Sequence, residues 1–433
     1  MLQRRLNVFD LTLITIGSII GSGIFRNPAV VASRAHLPVL ILGAWIVGGL
    51  VAVIAAFVFA ELAARRPYDG GLYAYLRDAF HPVVAFIFGW SLLLIVDTGA
   101  IAAAAVLFAG YLEPLTGLAF DTRIVAVVAI AALVGINCLG VRQGGTWQNI
   151  LVLLKGAAIV GLIIAGLIAH PAATAAAALP GFGSTSVTLA AFGIAMLPVF
   201  FAYNGYQNAT FVTGETIDPE RTIPRGLVLG VVAVLIVYVL VNVACLRVLG
   251  TAGLAATKVP AADVMQAALG PIGAKLIAIA VALSTLGIIS TRFLVTPRVF
   301  HQMAADGTFF KWFAHVSART HVPTIAIIAE GVIAAIIALS GTFDKIVNWV
   351  VAPELFFLIL AAIALFVFRK QDGRPSRVRV PLHPFSTIVL IGVLVAVLVA
   401  EVTQLPMDAL YGTLVLVAGV IFYVLWKRVV PST

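Results

Sequence analysis

Cysteine is almost absent from this sequence. Cys138 and Cys245 are the only two in 433 residues, and both fall inside apolar stretches. They read as small buried apolar residues, and no Cys/His spacing suits a metal ion. Charge is equally scarce, with Asp, Glu, Lys and Arg together making up 10% of the chain. A soluble domain of this length would need far more. No GxxxxGK[ST] loop occurs, so nucleotide-driven transport lacks its phosphate cradle. No nucleophile–base grouping or metal set marks an enzyme, and no cofactor is implied.

What fills the sequence instead is apolar: 62% of residues are hydrophobic and the mean hydropathy is +1.12. Runs of about 20 apolar residues recur, each long enough to cross the roughly 30 Å hydrocarbon core of a bilayer. Twelve spans are expected, over 9–33, 38–63, 82–112, 123–140, 147–169, 187–213, 226–249, 271–301, 323–341, 345–368, 384–404 and 409–427. The first is not a cleavable signal: it is too long, holds Asp10, and no small-residue cleavage site follows it. An even number of spans puts both termini on one side. That side gathers 18 of the 27 Lys and Arg residues, including Arg65, Arg66, Arg369, Arg377 and Arg379. The positive-inside rule makes it the cytoplasmic side, in a multi-pass protein of the inner or plasma membrane. The net charge of +9 then reflects topology and contact with anionic lipid rather than a nucleic-acid partner.

Two spans are interrupted. In the first, Gly21-Ser22-Gly23 sits mid-run, where each glycine weakens a helix by roughly 1 kcal/mol. In the sixth, Tyr203-Asn204-Gly205-Tyr206-Gln207-Asn208 breaks an apolar stretch. In lipid, unwound backbone is tolerated only where it is buried in protein or lines a cavity. Close helix packing through Gly17 and Gly21, and helix–helix hydrogen bonding by Asn204 and Gln207, are the plainer readings. Yet paired interruptions at matching positions are the best sequence pointer to a binding site between inverted repeats. Five spans precede the second interruption. The expected architecture is an all-α polytopic membrane protein with a 5+5 inverted repeat: a first half over 1–169, a second over 187–368, and two further helices over 384–427.

Three segments carry a family resemblance: Gly21-Ser22-Gly23-Ile24-Phe25; Ala60-Glu61-Leu62 through Pro67 to Gly70-Gly71-Leu72-Tyr73-Ala74-Tyr75-Leu76; and Phe201-Ala202-Tyr203-Asn204-Gly205-Tyr206 with Gly214-Glu215-Thr216-Ile217-Asp218-Pro219-Glu220-Arg221-Thr222-Ile223-Pro224-Arg225. The chain resembles amino acid permeases of the amino acid–polyamine–organocation (APC) superfamily, with the LeuT-type fold. It is most similar to the L-type amino acid transporter branch and its bacterial relatives. The resemblance implies a sodium-independent secondary transporter of neutral L-amino acids, working by alternating access as an exchanger or proton-coupled carrier. It places Ile19, Ser22, Gly23, Ile24, Phe201, Ala202, Asn204 and Tyr206 at the substrate. The Ser22 and Gly23 amides, at a positive helix end, would receive the carboxylate. Carbonyls of Ile19, Phe201 and Asn204 would receive the ammonium, and Phe201 would cover the substrate. Asn204 and Tyr206 depart from the small residue and the tryptophan common in that branch.

Lys155 lies about eight residues inside the fifth span, near 12 Å deep. An intramembrane lysine is a functional candidate by default, although snorkelling to the interface is the alternative. By resemblance it stands where sodium-coupled relatives of the fold bind sodium, with Ser284 its candidate partner on the eighth span; proton coupling through Lys155 is a further option. Asp97 and Arg292, in the third and eighth spans, are expected to pair, since buried charges usually do. The alternative has Asp97 accept a cationic side chain or relay protons, which would make the chain a carrier of cationic amino acids or polyamines. A non-transporting sensor on the same fold is a third reading. Glu330, Glu354 and Glu401 have no assigned role. Arg65 and Arg66 on one loop, and Glu215, Asp218, Glu220, Arg221 and Arg225 on another, could pair across the cytoplasmic path. Mammalian L-type carriers join a glycoprotein through a cysteine after the third span. Residues 113–123 hold none, so no disulfide-linked heavy chain is expected, which suits a stand-alone prokaryotic carrier.

Overall fold

The computed structural model describes residues 4–21, 23–68, 70–116, 121–169, 186–340, 343–373, 376–404 and 406–429. Among these, helix dominates and the one extended pairing is an isolated bridge between Leu6 and Thr216. This follows from composition: long apolar stretches bury their backbone polar groups most simply by bonding within one helix. The helices are α1 Val8–Ile19, α2 Gly23–Ala35, α3 Pro38–Arg65, α4 Leu72–Ala79, α5 Pro82–Ser91, α6 Asp97–Thr116, α7 Thr122–Cys138, α8 Val141–Ile168 and α9 Ser186–Tyr203. They continue as α10 Pro219–Ala256, α11 Pro260–Leu269, α12 Pro271–Val295, α13 Pro297–Ala305, α14 Thr324–Ser340, α15 Phe343–Asp372, α16 Phe385–Gln404 and α17 Pro406–Val429.

Eight described helical segments are long and apolar enough to cross a membrane, and a ninth results if α1 and α2, bent by 47°, form one span. Helices α7 and α14 are apolar but shorter, at 17 residues each. The expected fourth and ninth spans correspond to this pair, and the sixth to α9.

Local signals set the ends. Asn7 caps α1 by accepting from the Phe9 and Asp10 amides at 2.8 and 3.2 Å, while Asp10 accepts from the Asn7 amide at 3.0 Å, a reciprocal capping box. Proline opens α3, α5, α10, α11, α12 and α13, where its missing N–H costs no helical bond. Between α5 and α6 a π-helical turn, Leu92–Val96, precedes Asp97; such turns recur at functional sites.

The core lies where α3 and α10 pack together and where α1, α2 and α9 pack on them; α6 packs on α12 and α7 on α14. Outward faces carry exposed Leu153, Leu154, Val160, Ile164, Val399 and Leu414, the surface a helix presents to lipid.

Candidate binding site between the two helix breaks

Helix α1 ends at Ile19, with Ile20 as its C-cap, and α2 begins at Gly23. Ser22, between them, lies outside the described residues. Helix α9 ends at Tyr203, followed by Asn204 and Gly205, and a 3-10 helix then runs from Tyr206 to Glu215. Gly205 has φ +111°, and a Cβ there would sit 2.4 Å from the Ser18 carbonyl oxygen. Only glycine fits such a backbone angle at such an approach. The two breaks are therefore in direct contact. On the other face of the junction, a Cβ on Gly23 would meet Ala202 at 3.5 Å, and Asn27 Nδ2 of α2 donates to the Pro198 carbonyl of α9 at 2.8 Å.

A cavity of about 100 Å³ opens between the breaks. Ser18, Ile19, Gly21, Gly23, Phe201, Ala202, Asn204 and Gly205 line one side. Ala100, Ala103 and Ala104 of α6, Ile288 and Arg292 of α12, and Val350 and Glu354 of α15 line the other. Thus Ile19, Gly23, Phe201, Ala202 and Asn204, expected at the substrate, do share one cavity. Two others do not reach it. Ile24 is buried in the core. Tyr206 stacks edge-on to Phe59 and lines a neighbouring void of about 220 Å³, bounded also by Arg34 and Glu401. Phe201 and Asn204 border both spaces.

Several carbonyls freed by the breaks already have protein donors. Lys155 of α8 is 1% exposed; its Nζ donates to the Ile20 carbonyl at 2.5 Å and the Gly17 carbonyl at 3.3 Å. This is not snorkelling, because the ammonium turns inward onto the end of α1. Gly287 of α12 closes the arrangement, since a Cβ there would lie 3.5 Å from Lys155 Cε. The expected partner Ser284 is buried with its hydroxyl unpartnered, so carbonyls of α1, not this hydroxyl, hold the lysine. Tyr238 of α10, fully buried, lies with its hydroxyl 3.1 Å from the Ala202 carbonyl and 3.3 Å from the Ile19 carbonyl. It bridges the two broken segments. Gly17 meets the packing reading as well, since a Cβ there would approach Val152 to 2.7 Å and Thr291 to 3.0 Å.

Asp97 and Arg292 form the expected ion pair. Asp97 is buried, and the Glu330 carboxyl lies against it. Glu354 and Glu330 lie within electrostatic reach of the pair, and Glu354 Oε1 accepts from Gln207 Nε2 at 2.9 Å. Three carboxyls thus surround one guanidinium. Sequence reasoning gave no role to Glu354, the carboxyl that reaches the cavity; a single charge in an apolar span was its only signal.

The loop charges pair differently from expectation. Arg65 and Arg66 do not meet Glu215, Asp218 or Glu220. Both bond Asp372, at 3.0 and 2.7 Å, and Arg65 also bonds buried Glu61. Glu61 further accepts from Arg369 Nη2 at 2.6 Å and the Val380 amide at 2.8 Å. Glu215 pairs with Arg298 at 2.8 Å, both buried, and its carbonyl accepts from the Arg5 and Leu6 amides. Asp218 pairs locally with Arg221, and Glu220 with Arg377. Arg77 of α4 binds Asp306, which together with Asp78 holds the guanidinium well above its ordinary pKa against the effect of burial. The basic end of the bundle is therefore held by pairs joining α3 to α15, the 3-10 helix to α13, α4 to the end of α13 and α10 to the α15–α16 loop, and not by Arg65 and Arg66 against the Glu215–Arg225 segment.

Comparison with known proteins agrees with this anatomy. Residues 6–425 match the family model described as Amino acid permease. The chain is 30% identical over 435 residues to the serine/threonine exchanger SteT of Bacillus subtilis (strain 168), covering 97% of this chain and 96% of that one. It is 28% identical over 436 residues to the mouse b(0,+)-type amino acid transporter 1, covering 98% and 88%. It is 28% identical over 392 residues to the human large neutral amino acids transporter small subunit 2, covering 88% and 73%. With that match and helices that can span a bilayer, the chain belongs to the amino acid permease family of the APC superfamily, a membrane transporter and not an enzyme.

Proposed function

We propose that this protein exchanges neutral amino acids across the cell membrane by alternating access, without sodium. The observation that carries the reading is the contact of the two helix breaks around one small cavity, with Lys155 bonded to the broken end of α1. A fixed ammonium supplies there the positive charge that a bound sodium ion would, and removes the need for the ion. A zwitterion needs partners at both ends, because an unpaired buried charge is costly. The start of α2 at Gly23 offers amides and a positive helix end. The ends of α1 and α9 offer carbonyl oxygens, of which those of Ile19 and Ala202 share the Tyr238 hydroxyl. Relatives named as a serine/threonine exchanger and as neutral amino acid transporters support the same class.

The scaffold is twelve spans in two inverted halves over 1–169 and 187–368, with 384–427 appended. Packing supports the symmetry: α1 and α2 pack on α10 while α9 packs on α3, and third spans meet third (α6, α12) as fourth meet fourth (α7, α14). Both termini face the cytoplasm, by the excess of Lys and Arg at that end. The partners are the amino acid substrate and membrane lipid, with no disulfide-linked heavy chain, as residues 113–123 contain no cysteine. Of that loop, 117–120 lie outside the described residues. The cationic-substrate reading through Asp97 is weakened by its pairing with Arg292.

The test is uptake of labelled neutral and cationic amino acids into sodium-free proteoliposomes, with and without amino acid inside. Neutral uptake only into preloaded vesicles is the expected result. Uptake into empty vesicles driven by an inward proton gradient indicates symport instead, and binding without flux indicates a sensor.

A further inference from the structure

With the two charged ends of a substrate on the helix breaks, as amino acid exchange through this site requires, the rest of the cavity receives its side chain. This remainder is small and mixed. Ala100, Ala103 and Ala104 form one wall, and Ile288 and Val350 another. Two charged side chains complete it, Glu354 of α15 and Arg292 of α12.

Both have bonding capacity to spare. Glu354 uses Oε1 toward Gln207, and the Asn204 side chain lies near the same carboxyl; a carboxylate with about four acceptor sites is not filled by these. Arg292 donates to Asp97 through one Nη. The rest of its fork has no hydrogen-bond partner among the described residues, and its side chain keeps 14% exposure. Arg292 cannot swing to Glu354 without abandoning buried Asp97. One acceptor and one donor therefore remain available among the side chains that line the cavity.

A group that both donates and accepts satisfies the two together. A hydroxyl or a carboxamide does so; an aliphatic side chain fills the space but leaves the spare acceptor positions of Glu354 and the spare donors of Arg292 desolvated and unfilled. A long cationic chain is too large for the space. The cavity of about 100 Å³ is also smaller than the ~150 Å³ void that admits benzene. We propose, resting on the exchange of zwitterions at the breaks, that Glu354 and Arg292 form a side-chain subsite that selects small amino acids bearing a hydroxyl or carboxamide over aliphatic ones of the same shape.

Threonine and valine share a shape and differ by this hydroxyl. The experiment measures their competition against labelled substrate in the vesicle exchange assay, for wild type, Glu354→Gln and Glu354→Leu. The ratio within each preparation cancels differences in yield. Wild type is expected to prefer threonine by about tenfold or more, Glu354→Gln to narrow the ratio, and Glu354→Leu to bring it near unity. Valine or leucine competing as well as threonine in wild type overturns the subsite while leaving amino acid exchange intact. So does a threonine preference unchanged in Glu354→Leu, or lysine as the best competitor. Should Glu354→Leu fail to fold, the wild-type ratio and Glu354→Gln decide. No exchange of any amino acid by folded protein sinks the functional reading and this inference together.

Discussion

Replacing Lys155 by methionine keeps most of the side chain's bulk and removes the ammonium. In the structure Nζ makes two charge-assisted bonds to the end of α1, at 2.5 and 3.3 Å. Bonds to a charged group are worth about 1.5–3 kcal/mol each. The longer one counts for less, and relief from burying a charge offsets part of the sum. A net loss of about 2–3 kcal/mol remains, all of it at the joint where α1 meets α8 and α12. At 1.4 kcal/mol per factor of ten, the fraction of carrier in the binding-competent arrangement falls about 30- to 140-fold. Exchange of labelled amino acid in sodium-free proteoliposomes reads this directly, with Lys155→Arg as the variant that retains charge and recovers part of the rate. Exchange above half the wild-type rate in Lys155→Met, with unchanged melting temperature, would refute the argument that this ammonium replaces an ion.

Other substitutions test the rest of the joint. Gly205→Ala places a Cβ 2.4 Å from the Ser18 carbonyl at φ +111°; a loss of about 2–4 kcal/mol should lower the melting temperature and abolish exchange. Tyr238→Phe removes the hydroxyl shared by the Ile19 and Ala202 carbonyls, costing about 1 kcal/mol, and should weaken substrate binding roughly fivefold in an equilibrium binding assay. Arg298→Gln strands buried Glu215 at about 3–5 kcal/mol; combining it with Glu215→Gln should restore part of the lost thermal stability. His383 is held below its ordinary pKa by burial and the nearby Arg369. The unfolded chain therefore binds a proton here before the folded one does, and stability falls as pH drops below about 6.5. His383→Gln should flatten the melting temperature between about pH 5 and 7.

The breaks are legible in the sequence because glycine, serine and asparagine are costly inside an apolar run, so their presence there points to shape rather than stability. Lys155 and the Asp97–Arg292 pair are legible for a similar reason: a lone charge in such a run must find a partner. Glu354 carries the same signal, but which of several intramembrane carboxyls reaches the cavity depends on helix rotation, which the apolar surroundings do not encode. Tyr238 gives no signal at all, since a tyrosine in an apolar helix reads as core until its hydroxyl is seen on two freed carbonyls. The ion pairs at the basic end differ from expectation because sequence can place Arg65, Arg66 and Glu215 on one side of the membrane but does not encode which helix ends stand side by side there. Glu61 in fact bonds Arg369, 308 positions away, where α3 and α15 end side by side.

The central claim is that an amino acid sits between the two breaks. The most direct measurement is an experimental structure of the purified protein in sodium-free solution with the amino acid that the vesicles exchange best. The account predicts density for one molecule among Gly23, Ala202 and Glu354, with its carboxylate at the start of α2 and Lys155 still on the Ile20 carbonyl. Substrate density elsewhere, or a sodium-dependent site with Lys155 withdrawn from α1, would contradict it.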